Sequence, residues 1–319
     1  MKPDFSLIDA QMPSIQKRIA LKEDLGFFID GHWHPVNRPL NFQSFDDELP
    51  VRLKRLMKAL TLACYHLIFC GLTARQVDEP LPPLAERQEF MTGLSEMNRA
   101  SRKPDVNWQI TKTDAFGLSH AIKDGVKRPL LPGTYVAHKK RAGWVNFIRT
   151  GEDRGQDPFF YHALSDTYFQ QNEEQVCFYW NMAPEGISKL LEELTQVLNH
   201  YRIPYEFRCL NHPKLYTRVT TALLFIHRFH YHLVGQVSDS VNMKLADFFR
   251  EDTPPFTTPL STGFSMSPVP MHGPVYGKFM MRQVAQKLVY RQCFNSKLES
   301  SELVPHFQKV LQYDHHSNG

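Results

Sequence analysis

The segment from residue 184 to residue 201 constrains the fold of this chain more than any other stretch. Its apolar residues recur every three or four positions, opposite charged side chains, which is the pattern of an amphipathic helix lying on a protein core. Pro184 suits the first turn, because a proline there gives up no intrahelical hydrogen bond. A chain with this helix needs an apolar surface for it to cover. The stripe consists of Ile187, Leu190, Leu191, Leu194, Val197, Leu198 and Tyr201.

Strands are predicted on both sides of this helix. Apolar and polar residues alternate over residues 175–181, 205–210 and 221–226, as they do in strands with one buried face. In the first strand, the alternation puts Phe178 on the core face and Tyr179 on the opposite face, which we expect to be accessible. The order strand, helix, strand, turn, strand indicates an α+β fold with an antiparallel or mixed sheet and flanking helices.

The first ninety residues are predicted to be helical. Residues 56–72 are the most apolar segment, but they fall short of the roughly 20 residues that span a bilayer, so we interpret them as a buried helix. The Pro-rich sequence of residues 77–83 marks a turn after this part. We therefore divide the chain into a helical N-terminal region, residues 1–90, and an α+β domain, residues 91–319.

Composition and charge narrow the function classes. With 319 residues and 42% hydrophobic content, the chain can bury a full core. Its 37 basic and 33 acidic residues leave an excess of only +4, which does not indicate nucleic-acid binding. The five cysteines form no CxxC pair and are expected to be reduced, with no metal site. Residues 1–13 lack an apolar core of signal-peptide length, so we expect a cytoplasmic protein without a membrane contact.

A basic hairpin is predicted between residues 133 and 149. The segment is rich in β-branched and aromatic residues, and Arg141, Ala142 and Gly143 lie at or near its bend. Together with Arg141, the side chains of His138, Lys139 and Lys140 gather positive charge there. The alternative is a solvated turn with no binding role.

Several longer motifs follow one another at a characteristic spacing. YWNMAPEG begins at Tyr179 and precedes the amphipathic helix, and it is followed by IPYEFRCLNHPKLYTR, ALLFIHR and PPFTTPLSTG, with a fainter trace around Asn107 and Trp108. In this order the chain resembles the HopA-type effector family over roughly residues 130–290. That family includes type III secretion effectors and relatives encoded beside class V lanthipeptide and thioamitide gene clusters.

The resemblance implies a phosphothreonine-lyase-like fold and a reaction on peptides. The biosynthetic relatives eliminate phosphate from Ser or Thr residues of a precursor peptide, without metal or other cofactor. The chain has no Walker or protein-kinase glycine loop, so a separate kinase-like protein must phosphorylate the peptide. Three functions stay open: a phosphoserine or phosphothreonine lyase, a catalytically weakened scaffold that holds the peptide or kinase, and a type III secreted effector.

Phosphate elimination requires a base, an acid and cations in one pocket. The resemblance implies a Lys base on the strand that here carries Arg208, and an arginine acts better as a phosphate clamp than as a base. Cys177, Thr258 and Met280 also depart from the pattern, which leaves catalysis open. We assign catalytic roles to Tyr179, Arg208, Lys139 and His138, and phosphate binding to Arg218, Arg228, Lys140 and Arg141.

Each assignment has a structural alternative. Glu206 shares the strand face of Arg208, so a same-face ion pair competes with a role in the site. For Arg218 and Arg228 the alternative is a surface ion pair. Strand spacing would put His230 and His232 on one side, but without matching acidic or cysteine ligands we expect no metal there. The C-terminal pair His315 and His316 is expected to be frayed and exposed.

Overall fold

The structure is a computed structural model, and it describes the greater part of the chain. Backbone alone is described for residues 48–54 and 292–294. The C-terminal histidine pair lies outside the described residues. The described residues are 6–22, 26–36, 48–101, 103–111, 113, 118–155, 157–170, 173–270 and 276–294.

Seven α-helices occur in the described residues, and a π-helix, Tyr65–Phe69, continues the second of them. Short 3-10 turns lie at Pro213–Leu215, Arg228–His230 and Ala246–Phe248. The helices are α1 (Ser6–Arg18), α2 (Glu48–Cys64), α3 (Ala74–Asp78), α4 (Leu84–Met97), α5 (Pro184–His200), α6 (Tyr231–Lys244) and α7 (Tyr276–Phe294).

Fifteen strands form three sheets in the same part of the chain. They are β1 (Ile19–Lys22), β2 (Gly26–Ile29), β3 (His32–Pro35), β4 (Asp105–Ile110), β5 (His120–Lys123), β6 (Val126–Pro129), β7 (Tyr135–Ala137), β8 (Trp144–Phe147), β9 (Glu152–Asp153), β10 (Phe160–Leu164), β11 (Gln175–Trp180), β12 (Tyr205–Leu210), β13 (Ala222–His227), β14 (Thr258–Ser261) and β15 (Phe264–Val269).

All three sheets are antiparallel. The largest has the order β14-β15-β11-β13-β12-β10-β9, a second has the order β6-β5-β4-β8-β7, and the smallest is β1-β2-β3. Together with the helices, they confirm the predicted α+β class. The N-terminal part was predicted to be helical, and in addition to helices it contains the small sheet. Its strands have only four residues each, too few to show a clear alternation.

Helices α5 and α6 cover one face of the seven-stranded sheet. Five of the seven residues of the predicted apolar stripe are buried, and they pack in one core cluster with Phe178, Trp180, Phe207 and Leu224 of the sheet. Val197 is half-buried, and Tyr201, which follows the end of α5, is exposed. Burying a leucine-sized side chain contributes about 1.5–3 kcal/mol each, so this contact is a main source of stability. The predicted helix and the strands around it are confirmed.

The opposite face of this sheet is also covered, by α2, the π-helix and α7. Cys177 and Tyr179 of β11 and Phe225 of β13 belong to a second core cluster with these helices. All six residues of β11 are buried. The expectation that the Tyr179 face is accessible is therefore wrong, because helices from both ends of the chain pack onto it.

Other differences from the sequence analysis are local. The segment after Asp252 contains the edge strand β14, which pairs with β15. His230 and His232 lie in a 3-10 turn and in α6, so strand spacing does not apply to them. Among residues with described positions, no helix combines the length and apolar sequence that a bilayer crossing requires.

A tight turn between β14 and β15 requires glycine at position 263. Gly263 has a φ of +62°, and a Cβ placed there would lie 2.2 Å from the carbonyl oxygen of Arg250. The same backbone holds this turn against the end of β11, since the N–H of Asn181 donates to the Gly263 carbonyl at 2.8 Å. Any side chain at this position would be both strained and blocked.

Candidate anion-binding site

Arg218 is a buried arginine that has no ion-pair partner among the described residues. It lies between β12 and β13, and only 7% of it is exposed. Its Nε is buried without a hydrogen-bond acceptor, and its guanidinium lies 5.2 Å from the centre of the Phe159 ring. Within the described part of the chain, no carboxylate pairs with it. Burial of an unpaired guanidinium costs stability, which indicates a site made for an anion.

The backbone ties the Arg218 segment to the end of the π-helix. The N–H of Val219 donates to the Cys70 carbonyl at 2.9 Å, and the Thr220 hydroxyl contacts the Cys70 sulfur at 3.7 Å. The N–H of Cys70 in turn donates to the Tyr65 carbonyl at 2.9 Å, which closes the wide turn of the π-helix. These contacts bring Arg218 beside the side chains of Tyr65 and His66.

Lys278 of α7 completes a group that we call the Arg218 cluster: Arg218, Tyr65, His66 and Lys278. The Lys278 ammonium lies 5.3 Å from the Tyr65 ring centre, and the rings of Tyr65 and His66 lie 5.3 Å apart, edge to face. Tyr65 and His66 are half-buried and Lys278 is exposed. The cluster therefore opens to solvent at the side of α7.

Electrostatics make the Arg218 cluster cationic with a neutral histidine. Burial lowers the pKa of His66, and the charges of Arg218 and Lys278 lower it further. Burial also raises the pKa of the Tyr65 hydroxyl well above its ordinary value, so this group stays protonated. Near neutral pH the cluster thus offers two cations, a hydroxyl donor and an unprotonated imidazole.

Tyr179 lies beneath this cluster. Its hydroxyl is 3.0 Å from the Ser267 hydroxyl of β15, and its ring meets Phe69 of the π-helix edge to face at 6.1 Å. Burial raises the pKa of Tyr179 well above its ordinary value. Its proposed role as a proton donor stays a prediction, but at 5% exposure Tyr179 is covered in this structure.

Arg208 forms the same-face ion pair that was the alternative to a catalytic role. Its Nε donates to Glu206 at 2.8 Å, and its guanidinium lies 4.5 Å from the Phe225 ring centre. His162 Nδ1 is 2.9 Å from the same Glu206 oxygen. Burial would raise the pKa of Glu206, but the His162 hydrogen bond and the Arg208 charge outweigh burial and lower it to about 2.

The remaining predicted residues lie elsewhere on the surface. Arg228 pairs with Glu174 at 2.6 Å, and both side chains are 51% exposed. The hairpin bend is confirmed between β7 and β8, where the Lys140 N–H donates to His138 Nδ1 at 3.2 Å. The cations of the bend, Lys139, Lys140 and Arg141, are exposed.

Of the eight predicted site residues, the structure thus brings only Arg218 and Tyr179 to this region. The departures from the family pattern are also dispersed. Cys177 lies buried beside Tyr179, Met280 is buried on α7, and Thr258 is exposed on the edge strand β14. Over the described residues, no three His, Cys, Asp or Glu side chains are grouped so as to hold a metal ion.

Sequence reasoning missed Tyr65, His66 and Lys278. One signal was present, since Tyr65 and His66 interrupt the most apolar segment of the chain with two polar-tipped rings. Lys278 carried no local signal. Only the packing of α7 on the π-helix brings it near Arg218.

The fold and this site together define a class: an α+β protein whose antiparallel sheet is covered on both faces and which carries a cationic cluster where helix and sheet meet. Residues 153–291 match the model of the HopA1 effector protein family. The predicted resemblance to this family is confirmed over the matched residues. The resemblance of residues 130–152, which precede the match, stays a prediction.

Two solved structures are similar to this chain. One is the effector protein from Pseudomonas syringae pv. tomato strain DC3000, with 14% identity and a TM-score of 0.44, covering 82% of this chain and 91% of that one. The other is the effector protein from Pseudomonas syringae pv. syringae strain 61, with 11% identity and a TM-score of 0.41, covering 85% of this chain and 95% of that one. No curated protein matches the chain.

Proposed function

We propose that this protein binds a phosphorylated Ser or Thr side chain of a peptide at the Arg218 cluster and eliminates its phosphate. In this proposal a separate kinase-like protein phosphorylates a precursor peptide in the cytoplasm, and the product is a dehydroamino acid of the lanthipeptide type. The observation that carries the proposal is the buried guanidinium of Arg218, which has no carboxylate partner among the described residues.

A phosphate dianion is the ligand that fits this guanidinium. Arginine binds phosphate through two parallel charge-assisted hydrogen bonds, and a nearby lysine adds charge. Lys278 provides that charge from the exposed side of the cluster. Arg228 is less suited to bind phosphate, because its guanidinium is exposed and already pairs with the Glu174 carboxylate.

The chemistry of elimination can be assigned to the same four side chains. His66, unprotonated near neutral pH, accepts the Cα proton of the phosphorylated residue. The electron pair of that C–H bond forms the Cα–Cβ double bond, and the Cβ–O bond breaks. Phosphate leaves with the electrons of the broken bond and is stabilised by Arg218 and Lys278, while the Tyr65 hydroxyl donates a hydrogen bond.

One observation favours a second candidate, a binding protein without turnover. The strand position where the resemblance implies a lysine base holds Arg208, and its ion pair with Glu206 engages its guanidinium away from the Arg218 cluster. A protein that relied on that base would bind the phosphopeptide and release it unchanged. The scaffold function needs Arg218 but not His66.

Incubation with phosphoserine and phosphothreonine peptides, followed by mass spectrometry, separates these functions. Loss of phosphoric acid and trapping of the product by an added thiol support elimination. Binding with unchanged mass supports the scaffold, and loss of the phosphoryl group alone indicates a phosphatase. His66→Gln should abolish elimination and keep binding, whereas Arg218→Gln should abolish both. Equal binding of phosphorylated and unphosphorylated peptides would contradict the proposal.

A further inference from the structure

A groove lies apart from the Arg218 cluster, between the five-stranded sheet and the segment that follows β10. It consists of two adjoining cavities of about 220 and 430 Å³. Because the two share much of their lining, they form one elongated depression. The residues common to both are Asp105, Arg149, Asp166, Thr167 and Tyr168.

Arg128 provides the groove with an unpaired cation. This residue lies on the edge strand β6, and its guanidinium is held between two rings, 3.8 Å from the centre of Phe147 and 4.8 Å from that of Tyr168. Stacking fixes the plane of the guanidinium and leaves its N–H edge free. None of the described side chains accepts a hydrogen bond from it or forms an ion pair with it.

Of the four acidic residues of the groove, Asp105, Asp166 and Glu206 are already engaged, and the fourth, Asp124, is exposed at the turn between β5 and β6. Asp105 binds Lys123 at 2.8 Å and Arg149 at 3.2 Å, and Asp166 accepts a hydrogen bond from the Ser101 backbone at 2.6 Å. The indole of Trp108, in the wall of the larger cavity, lies against the Asp105 carboxylate. The groove therefore has a cation, Arg128, that none of the described carboxylates pairs with, and a ligand with acceptors can pair with it.

The groove and the Arg218 cluster lie at opposite ends of strand β10. Phe159, whose ring contacts the Arg218 guanidinium, comes directly before β10, whereas Leu164 at its other end and Glu206, the partner of Leu164 on β12, line the groove. At about 3.3 Å per residue, this strand covers roughly 17 Å. An extended peptide of about six residues or more can reach from one site to the other.

We infer that this groove binds an acidic segment of the same peptide whose phosphorylated residue occupies the Arg218 cluster. A carboxylate of the segment pairs with Arg128, and an adjacent apolar side chain packs against Tyr168 and Trp108. The inference rests on the proposed function for the identity of the peptide. The groove would confer specificity for peptides by sequence, whereas the Arg218 cluster recognises the phosphate.

Fluorescence anisotropy with two labelled, unphosphorylated peptides tests this inference on the full chain. One peptide carries Glu residues beside Leu, and in the other each Glu is replaced by Gln. We expect the Glu peptide to bind at least about tenfold more tightly, the discrimination of one charge-assisted hydrogen-bonded pair. Arg128→Gln should remove this preference, and Arg128→Lys should keep part of it. Arg218→Gln is the matched control and should leave it unchanged.

The outcomes keep the two sites apart. Equal binding of the Glu and Gln peptides, or an undiminished preference for the Glu peptide in folded Arg128→Gln, would contradict peptide binding at the groove. Neither result would affect the proposed phosphate site. Loss of phosphopeptide binding in Arg218→Gln alone supports the proposed function by itself. If glutarate competes as strongly as the Glu peptide, the groove takes a small carboxylate and the peptide assignment fails. Should Arg128→Gln not fold, competition by the Glu peptide against its Gln counterpart on the unmodified protein decides the question.

Discussion

At the scale of single residues, the unpaired buried charge of Arg218 is expected both to bind the phosphopeptide and to lower the stability of the fold. We expect Arg218→Met to abolish phosphopeptide binding and to raise the free energy of unfolding by about 1 kcal/mol, because an unpaired buried charge is replaced by an apolar side chain of similar length. The lost contact with Phe159 offsets part of this gain. Urea unfolding and phosphopeptide titration of the same preparation check both effects.

Arg228 offers a matched control for that substitution. It is an arginine of the same length, but it is exposed and already paired with Glu174. Arg228→Met should change neither stability nor phosphopeptide binding measurably. A marked loss of stability in Arg218→Met would show that the guanidinium has a structural partner, and it would remove the main support for an anion site.

Glu206 should make stability depend on acid pH. The pKa of Glu206 is lowered to about 2 in the folded protein, whereas it lies near 4.3 in an unfolded chain. Its stabilising effect is therefore complete at pH values above the pKa of the unfolded chain, and it is lost as the pH falls toward the pKa of the folded protein. We expect this group to contribute about 2 kcal/mol less at pH of about 3 than at about 5.5. Urea unfolding at both pH values, compared with Glu206→Gln, isolates this contribution. A variant with the same pH dependence as the original protein would contradict it.

At the scale of elements, the close contact between α7 and the π-helix positions the cluster. A Cβ at Gly277 would lie 2.4 Å from Cε1 of Phe69, so the two helices can approach only because this residue has no side chain. Gly277→Ala should destabilise the protein by about 1–3 kcal/mol and weaken phosphopeptide binding, since Lys278 moves with the helix. Thermal unfolding and the phosphopeptide titration measure both effects.

Gly235 in α6 is the control for this effect. No atom lies within 4 Å of a Cβ built there. Gly235→Ala should therefore raise stability by up to about 1 kcal/mol through helix propensity alone. If both alanines raised stability, the contact at Phe69 would be loose and the explanation of its role wrong.

The sequence predicted best those elements whose buried residues repeat regularly over the whole length of the element. Helix α5 and strand β12 show their burial pattern within their own residues, and the structure confirms both. The elements that cover a given face of the sheet consist of residues far away in the sequence. Strand β11 contained a hint, because Cys177 and Tyr179 make its second face partly apolar, as in sheets buried on both sides. The helices that bury this face come from the two ends of the described chain.

The candidate site was predictable to a smaller extent than the fold. Arg218 was found through the family resemblance, whereas Tyr65, His66 and Lys278 come from segments far apart in sequence. No periodicity brings such residues together. Arg208 shows the opposite case: two residues on one strand face suffice to predict an ion pair, and the structure contains it.

At the scale of the whole molecule, the N-terminal part and the region that matches the HopA1 model share one core. Leu60 of α2, Tyr179 of β11 and Met280 of α7 pack in the same cluster. The division at residue 90 stays a prediction about chain organisation, but this packing implies that neither part is stable alone. Without the N-terminal part, the apolar face over Tyr179 would be exposed to water.

A cleavable chain tests this dependence. A protease site inserted into the Pro-rich segment between α3 and α4 leaves every helix intact. After cleavage we expect the two parts to stay associated and to unfold in one transition, because the shared core holds them together. The C-terminal part expressed alone should aggregate or lack a cooperative transition. If it instead unfolds cooperatively at the temperature of the full chain, the shared core contributes little to stability. The fold around Arg218 would then not depend on Tyr65 and His66, which belong to the removed part.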